Sequence, residues 1–374
     1  MKIIADPNIP FVREAFAALG EIELIPGRKM NAAAVRDAEL LLVRSVTPVN
    51  AALLDGSKVR FVATATIGTD HVDAGYLASR QIGFASAAGS NANSVAEYIV
   101  AAMLELAHRR KFRLRDKTLG VIGVGNVGSR VVRYAEALGM RVLQNDPPRQ
   151  RTEKSPVFVR LDRLLAESDI LTLHVPLTRE GEDRTFHLFD EGRLAALGRK
   201  PILINSSRGA VVDNAALLRA IQAGKLGGGV LDVWENEPSI SLELLEAVDL
   251  ATPHIAGYSF DGKVNGTTMI YRAACGFVGI KPTWEPTALM PAPAVPRIAI
   301  NAMGQDDEDL LRLLVRRVYD INADDVALRA RPREFDKLRA EYPVRREFFN
   351  TKVVASGADT GAGVKLAALG FQRD

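Results

Sequence analysis

With a single cysteine, Cys275, the 374-residue chain can form no intrachain disulfide, so its stability has to come from packing alone. That usage fits a reducing compartment, and a cytoplasmic protein is expected. The five histidines do not pair with one another, with the cysteine or with carboxylates at ligand spacing, so no metal site is expected. No apolar run approaches the roughly 20 residues of a membrane-spanning helix, and Met1-Lys-Ile-Ile-Ala-Asp6 turns polar too soon for a signal peptide. Neither sign of charge dominates. The 48 basic and 45 acidic residues leave a net +3, which gives no argument for nucleic acid or membrane as partner but suits an anionic small molecule.

What is present is an alternation of short apolar runs with helical stretches, in a chain long enough for two or three domains. In the first ninety residues Lys2–Ala5, Glu21–Ile25, Leu40–Val43, Phe61–Ala63 and Ile82–Phe84 are predicted strands, and Pro10–Leu19 a helix. This predicts a parallel sheet of nucleotide-fold type, and the lack of a glycine motif after its first strand makes it a substrate domain. A long helix is predicted from Ser94, which with Glu97 has capping-box spacing, through Val95, Ile99, Met103 and Leu106 on one face.

The glycine motif stands later, as Gly123-Val-Gly125-Asn-Val-Gly128, between an apparent strand (Lys117–Ile122) and a helix (Ser129–Leu138). That is the context in which such glycines allow a tight turn, a close approach of backbone to pyrophosphate and close helix packing. A second strand, Arg141–Asn145, ends at Asp146, eighteen residues past Gly128. A carboxylate there accepts from the adenosine ribose and repels a 2′-phosphate, so NAD is the expected cofactor, although Arg149 and Arg151 lie close by.

Further apolar runs, Asp169–Val175, Pro201–Asn205, Gly229–Asp232 and Leu250–Thr252, complete a six-stranded doubly wound sheet whose ligand crevice lies at the strands' C-terminal ends. Ser206, Ser207, Arg208, Asp232 and His254 all sit just past such ends, and Glu237 follows shortly after Asp232. Oxidising an alcohol beside a carboxylate needs a cation for the carboxylate, a base for the hydroxyl proton and a group that orients the base. Arg208, His254 and Glu237 supply those three.

Beyond the glycine motif, Asn205-Ser-Ser-Arg-Gly-Ala-Val-Val-Asp213, Asp232-Val-Trp-Glu-Asn-Glu-Pro238 and Thr252-Pro-His-Ile-Ala-Gly257 resemble the signatures of the D-isomer-specific 2-hydroxyacid dehydrogenases. A narrower match, to members acting on the phosphorylated sugar acid 4-phospho-D-erythronate in pyridoxal phosphate biosynthesis, rests on four features. They are Leu42-Val-Arg-Ser-Val-Thr47, Thr64–Asp73, His254-Ile-Ala-Gly-Tyr258 and a C-terminal extension containing Arg333-Glu-Phe-Asp-Lys-Leu338. The resemblance implies Arg208, Glu237 and His254 as catalytic residues. It implies a cofactor site of Gly123, Gly125, Asn126, Val127, Gly128, Asp146, Val175 (through its backbone), Ser206, Ser207, Arg208, Asp232 and Gly257. Ser45, Thr66 and Tyr258 would contact substrate, with Arg44 a further candidate. A related hydroxyacid or phosphoglycerate dehydrogenase, or a non-catalytic NAD-sensing module on the same fold, stays open at this level.

The expected architecture is α/β. Two Rossmann-like domains are predicted, 1–93 completed by 256–281, and 94–255. Past a proline-marked linker comes a small α+β unit, 286–374, with a strand at Arg297–Asn301, an amphipathic helix from Asp306 to Ile321 and a strand at Lys352–Ala355. Such a unit could bind an effector or build a dimer. The resemblance favours a homodimer.

Overall fold

Leu40-Leu-Leu-Val43 is apolar at every position, the pattern of a strand covered on both faces, and all four residues are buried. In the computed structural model, which describes residues 1–301, 303–356 and 360–373, it lies inside a five-stranded sheet. The strands are β1 (Lys2–Ala5), β2 (Glu21–Leu24), β3 (Leu40–Val43), β4 (Phe61–Thr64) and β5 (Gly83–Ser86), all parallel, in the order β2-β1-β3-β4-β5. They belong to a unit formed by Met1–Asn91 and Ser259–Ala292. Helix Phe260–Val278 returns late in sequence to cover one face, where Ile270, Tyr271, Ala274 and Cys275 pack with Phe16 and Phe61. The strand order reverses between β1 and β3, so Arg44 and Ser45 follow the strand at that switch point, and Thr66 follows β4.

The other unit comprises Ala92–Tyr258 and Pro293–Asp374. Its main sheet holds β6 (Thr118–Ile122), β7 (Arg141–Asn145), β8 (Ile170–Leu173), β9 (Ile202–Asn205), β10 (Gly228–Leu231) and β11 (Leu250–Ala251). These run parallel in the order β11-β10-β9-β8-β6-β7, with a hydrophobic core on each face. Both large sheets are thus doubly wound, as expected.

Helix Ala92–Arg110 departs from its prediction. It begins two residues before Ser94 and is buried on every side from Ser94 to Ala107, not along one stripe. Ser94 does not cap it: the hydroxyl donates to the Ala256 carbonyl at 2.8 Å. Glu97 likewise leaves the capping role and accepts from the Phe348 backbone N–H at 2.8 Å. The reason is the C-terminal segment, which lies where solvent was expected. Leu310, Leu311, Leu314 and Val315 of helix Asp307–Val318 share one core with this helix.

That segment carries a third parallel sheet, β12 (Arg297–Asn301), β13 (Lys352–Ser356) and β14 (Gln372–Arg373), in the order β12-β13-β14. The single helix predicted from Asp306 to Ile321 ends at Val318, and a second begins at Ile321 with Asp320 as its cap. Asp307, Glu308 and Asp309 in the first turn and Arg316 and Arg317 in the last complement the macrodipole of the first helix.

Candidate active site

The three glycines after β6 have three different surroundings. Gly123 sits at φ 84°, and a Cβ there would fall 2.6 Å from the His174 carbonyl oxygen and 2.8 Å from a Val175 methyl. A Cβ on Gly128 would fall 2.0 Å from the Gly123 carbonyl oxygen. Around Gly125 there is nothing within 4 Å. The first and third glycines therefore let protein approach protein, while the second leaves open space at the N-terminus of helix Gly128–Ala137, as a pyrophosphate requires. His174 and Val175 follow β8, which neighbours β6 where the strand order reverses, so the turn lies at this sheet's switch point. Burial holds the His174 imidazole neutral, its pKa pushed down to about 3. Ser206, just past β9, keeps a buried hydroxyl oxygen with no hydrogen-bond partner among the described residues, a group a bound dinucleotide would satisfy.

Asp146 follows β7 and ties this turn together. One carboxylate oxygen accepts from Val124 N–H at 2.8 Å and the other from Arg149 N–H at 3.0 Å, which leaves lone pairs for ribose hydroxyls. The two nearby arginines are already engaged, Arg149 by Glu153 and the Val124 carbonyl, Arg151 by Asp183 and Glu182. Neither is a free cation awaiting a 2′-phosphate. Asp146→Ser keeps a helix cap but removes the charge. Hydrogen bonds to charged groups are worth about 1.5–3 kcal/mol, so the NAD-to-NADP ratio of kcat/KM should fall by roughly 10- to 100-fold. An unchanged ratio would assign cofactor choice to another residue.

Arg208, Glu237 and His254 follow β9, β10 and β11, three adjacent strands. The loops carrying the first two touch. A Cβ on Gly209 would fall 2.0 Å from the Trp234 carbonyl carbon, so only glycine lets the chain beside Arg208 pass the one leading to Glu237. Arg208 is half-buried, its Nη1 donating to the Ser207 carbonyl at 2.7 Å. Glu237 Oε2 lies 2.8 Å from His254 Nδ1, and Oε1 accepts from Trp234 N–H at 2.9 Å. Burial would raise the Glu237 pKa, but the hydrogen bond and charge of His254, the Trp234 N–H and the charge of Arg339 outweigh it and hold the carboxyl below its usual range. An ionised carboxylate only accepts, so Nδ1 carries the hydrogen of that bond and Nε2 is left to exchange a proton. The His254 side chain is 34% exposed, enough for that nitrogen to meet a ligand.

His254 adopts φ 57°, a left-handed backbone that costs an L-residue and persists only where its surroundings dictate it. Asp232, almost wholly buried after β10, does the dictating. Its backbone carbonyl accepts from His254 N–H at 2.7 Å, and its carboxylate accepts from Ile255 N–H at 2.7 Å, Ala256 N–H at 3.0 Å and the Thr252 hydroxyl at 2.6 Å. Burial raises the Asp232 pKa against these donors. Asp232, expected to touch cofactor, thus also shapes the loop that presents His254, Gly257 and Tyr258.

Thr66, in the other unit, hydrogen bonds Thr64 at 2.7 Å, and Thr64 hydrogen bonds His71 at 3.0 Å. Arg44 is half-buried and Ser45 exposed, and the Arg44 guanidinium has no hydrogen bond or ion pair among the described residues.

Residues 86–256 match the D-isomer specific 2-hydroxyacid dehydrogenase NAD-binding domain, and residues 289–370 match a domain of unknown function, DUF3410. The chain is 49% identical to the erythronate-4-phosphate dehydrogenase of Edwardsiella ictaluri, over 99% of each chain. It is 48% identical to that of Cronobacter sakazakii, over 99% of this chain and 98% of the relative. The chain belongs to the erythronate-4-phosphate dehydrogenase family. Among solved structures it resembles the D-lactate dehydrogenase of Aquifex aeolicus complexed with NAD and lactic acid, with a TM-score of 0.63 and 30% identity over 75% of this chain and 96% of that one.

The motif residues are held by neighbours that the motifs only partly contain. Trp234 donates its indole N–H to the Thr252 carbonyl at 3.1 Å, and the Tyr98 hydroxyl meets the Thr252 hydroxyl at 2.9 Å. Trp234 stands inside a quoted motif and was legible as such. Tyr98, in the middle of an apolar helix, carried no signal.

Proposed function

We propose that the chain oxidises C2 of 4-phospho-D-erythronate to 2-oxo-3-hydroxy-4-phosphobutanoate, with NAD taking the hydride, as a step of pyridoxal 5′-phosphate biosynthesis. The observation that carries the chemistry is the Glu237–His254 hydrogen bond, which leaves one imidazole nitrogen for a substrate proton beside the strand ends that bear Arg208 and Asp232. Near-identical length and 48–49% identity to erythronate-4-phosphate dehydrogenases support the substrate. Bound NAD supplies the nicotinamide that accepts hydride. The chain's residues do the rest: Arg208 holds the carboxylate by charge-assisted hydrogen bonds, His254 Nε2 takes the C2 hydroxyl proton, and Glu237 orients and steadies the imidazolium that results. Nicotinamide absorbance should rise with 4-phosphoerythronate and far less with 3-phosphoglycerate or lactate. Preference for 3-phosphoglycerate would move the assignment to a phosphoglycerate dehydrogenase, and no turnover with any of them would favour an NAD-sensing module.

The unpaired guanidinium of Arg44 supports a role in reading the phosphate, with Ser45, Thr66 and Tyr258 as further substrate contacts. Arg44→Ala should raise KM for 4-phosphoerythronate by roughly 10- to 100-fold, the worth of hydrogen bonds to a charged group. Unphosphorylated erythronate should be little affected, and the gap should narrow as salt is added. Equal losses for both acids would remove Arg44 from phosphate recognition.

The same proposal includes a homodimer built through the C-terminal region. The apolar face of helix Asp307–Val318 is not available, being covered within the chain, but Val326, Val344, Phe349 and Val364 remain exposed. Sedimentation of the full chain should give twice the chain mass, and Val326→Glu with Val364→Glu should shift it towards the monomer. A monomer at every concentration would end the dimer reading.

A further inference from the structure

The C-terminal segment reaches the loop that presents His254. Tyr258, four residues further along, packs its ring edge-on against Tyr342, with centroids 5.9 Å apart, and the Arg339 guanidinium carbon stands 5.7 Å from the same Tyr258 ring. Arg339 is only 21% exposed, and its Nε is buried with no hydrogen-bond partner among the described residues. Its nearest carboxylate by geometry, Asp336, lies 3.6 Å from Nη1, beyond hydrogen-bonding distance. That contact is an ion pair within one helical turn, and the helix that carries both, Phe335–Ala340, is anchored by Phe335, which is wholly buried in the core beneath the main sheet.

A guanidinium that is 21% exposed, with a buried Nε that no group among the described residues accepts from, is stabilised by the ring it stands over. An arginine over a tyrosine ring is attracted to its face and restricts its rotation, and Tyr342, tied through its hydroxyl to Asp324 at 2.9 Å, closes the ring's edge.

We propose that Arg339 is a positioning residue of the reaction: from the C-terminal region it fixes the Tyr258 ring. This rests on the reading that Tyr258 meets substrate. It makes the C-terminal region part of the active-site support and not only an assembly surface.

The test uses the full chain with Arg339→Met and Arg339→Lys. In Arg339→Met, KM for 4-phosphoerythronate should rise by roughly 3- to 30-fold, as expected for a lost cation–π contact, with a smaller change in kcat. Ring flipping of Tyr258, followed in carbon-13-labelled tyrosine without substrate and assigned by difference against Tyr258→Phe, should become faster. Arg339→Lys keeps the charge but not the flat guanidinium, so both the flipping rate and KM should change only in part. It also answers the case in which the methionine variant folds poorly. An unchanged Tyr258 ring in Arg339→Met overturns the proposal, and so does an unchanged KM. If the wild-type chain does not oxidise 4-phosphoerythronate, the substrate reading fails, while the Tyr258 ring still decides Arg339.

Discussion

Replacing His254 by alanine should lower kcat by about a hundred- to ten-thousand-fold, the usual cost of removing a general base, and leave NAD affinity nearly unchanged. The two effects separate because the glycine turn is set by Gly123, Gly128 and Asp146, whose close neighbours are His174, Val175, Val121, Val124 and Arg149. Single-turnover absorbance and NADH fluorescence titration would measure them, and wild-type turnover in the variant would remove His254 from the mechanism. Glu237→Gln keeps the shape and a hydrogen bond but loses the charge. The imidazolium formed during reaction then lacks its anionic partner, so kcat should fall by roughly 10- to 100-fold, the worth of a hydrogen bond to a charged group. An unchanged kcat would make Glu237 a purely structural neighbour.

The parts of this arrangement that were legible in the amino-acid sequence are those in which a strand or turn dictates its own composition. Parallel strands buried on both faces must be apolar throughout, so Leu40–Val43 and Ile202–Asn205 announced themselves. The glycine turn did so because each glycine answers a local steric demand. Asp146 was readable for the same reason, lying at the end of a strand whose neighbour bears the turn. Contacts between distant segments were not. Ser94 and Glu97 had the spacing of a capping box, yet Ser94 bonds a carbonyl 162 residues away and Glu97 an amide 251 residues away. A long-range partner outcompetes a local cap once burial removes water as the alternative. The arginines show the same limit. Arg149 has its carboxylate one helical turn on, at Glu153, which spacing could have shown, whereas Arg151 finds Asp183 across a loop. Arg339 carried no signal, and Arg345 was legible only as an outside candidate for binding a phosphate; the fold of the segment instead buries Arg345 against the Ala256 carbonyl and sets Arg339 over the Tyr258 ring, on the loop that bears His254.

Arg345→Met should cost about 3–5 kcal/mol of stability, the range for removing one member of a buried ion pair. The guanidinium is 5% exposed, lies 4.1 Å from the Tyr319 ring centroid and 3.6 Å from Glu97, which is fully buried, and donates to the Ser94 hydroxyl and to the Ala256 carbonyl at 3.2 Å. Burial alone would favour its neutral form. Tyr342, Tyr319, Glu97 and Glu347 around it outweigh that and raise its pKa, so the methionine variant leaves Glu97 charged without its counter-ion. The urea midpoint should fall with the m-value unchanged. Adding Glu97→Gln removes the stranded charge, and since a buried ion pair replaced by neutral groups of similar volume is often no less stable, the double variant should recover most of the loss. Turnover should not recover with it. Arg345 is also a donor to Ala256, two residues past His254, and neither glutamine nor methionine restores that bond. A double variant with restored stability and depressed kcat would show that the buried charge is kept for the catalytic loop. Full recovery of both would make Arg345 a packing residue, and a loss below about 1 kcal/mol in the single variant would mean that water reaches the pair.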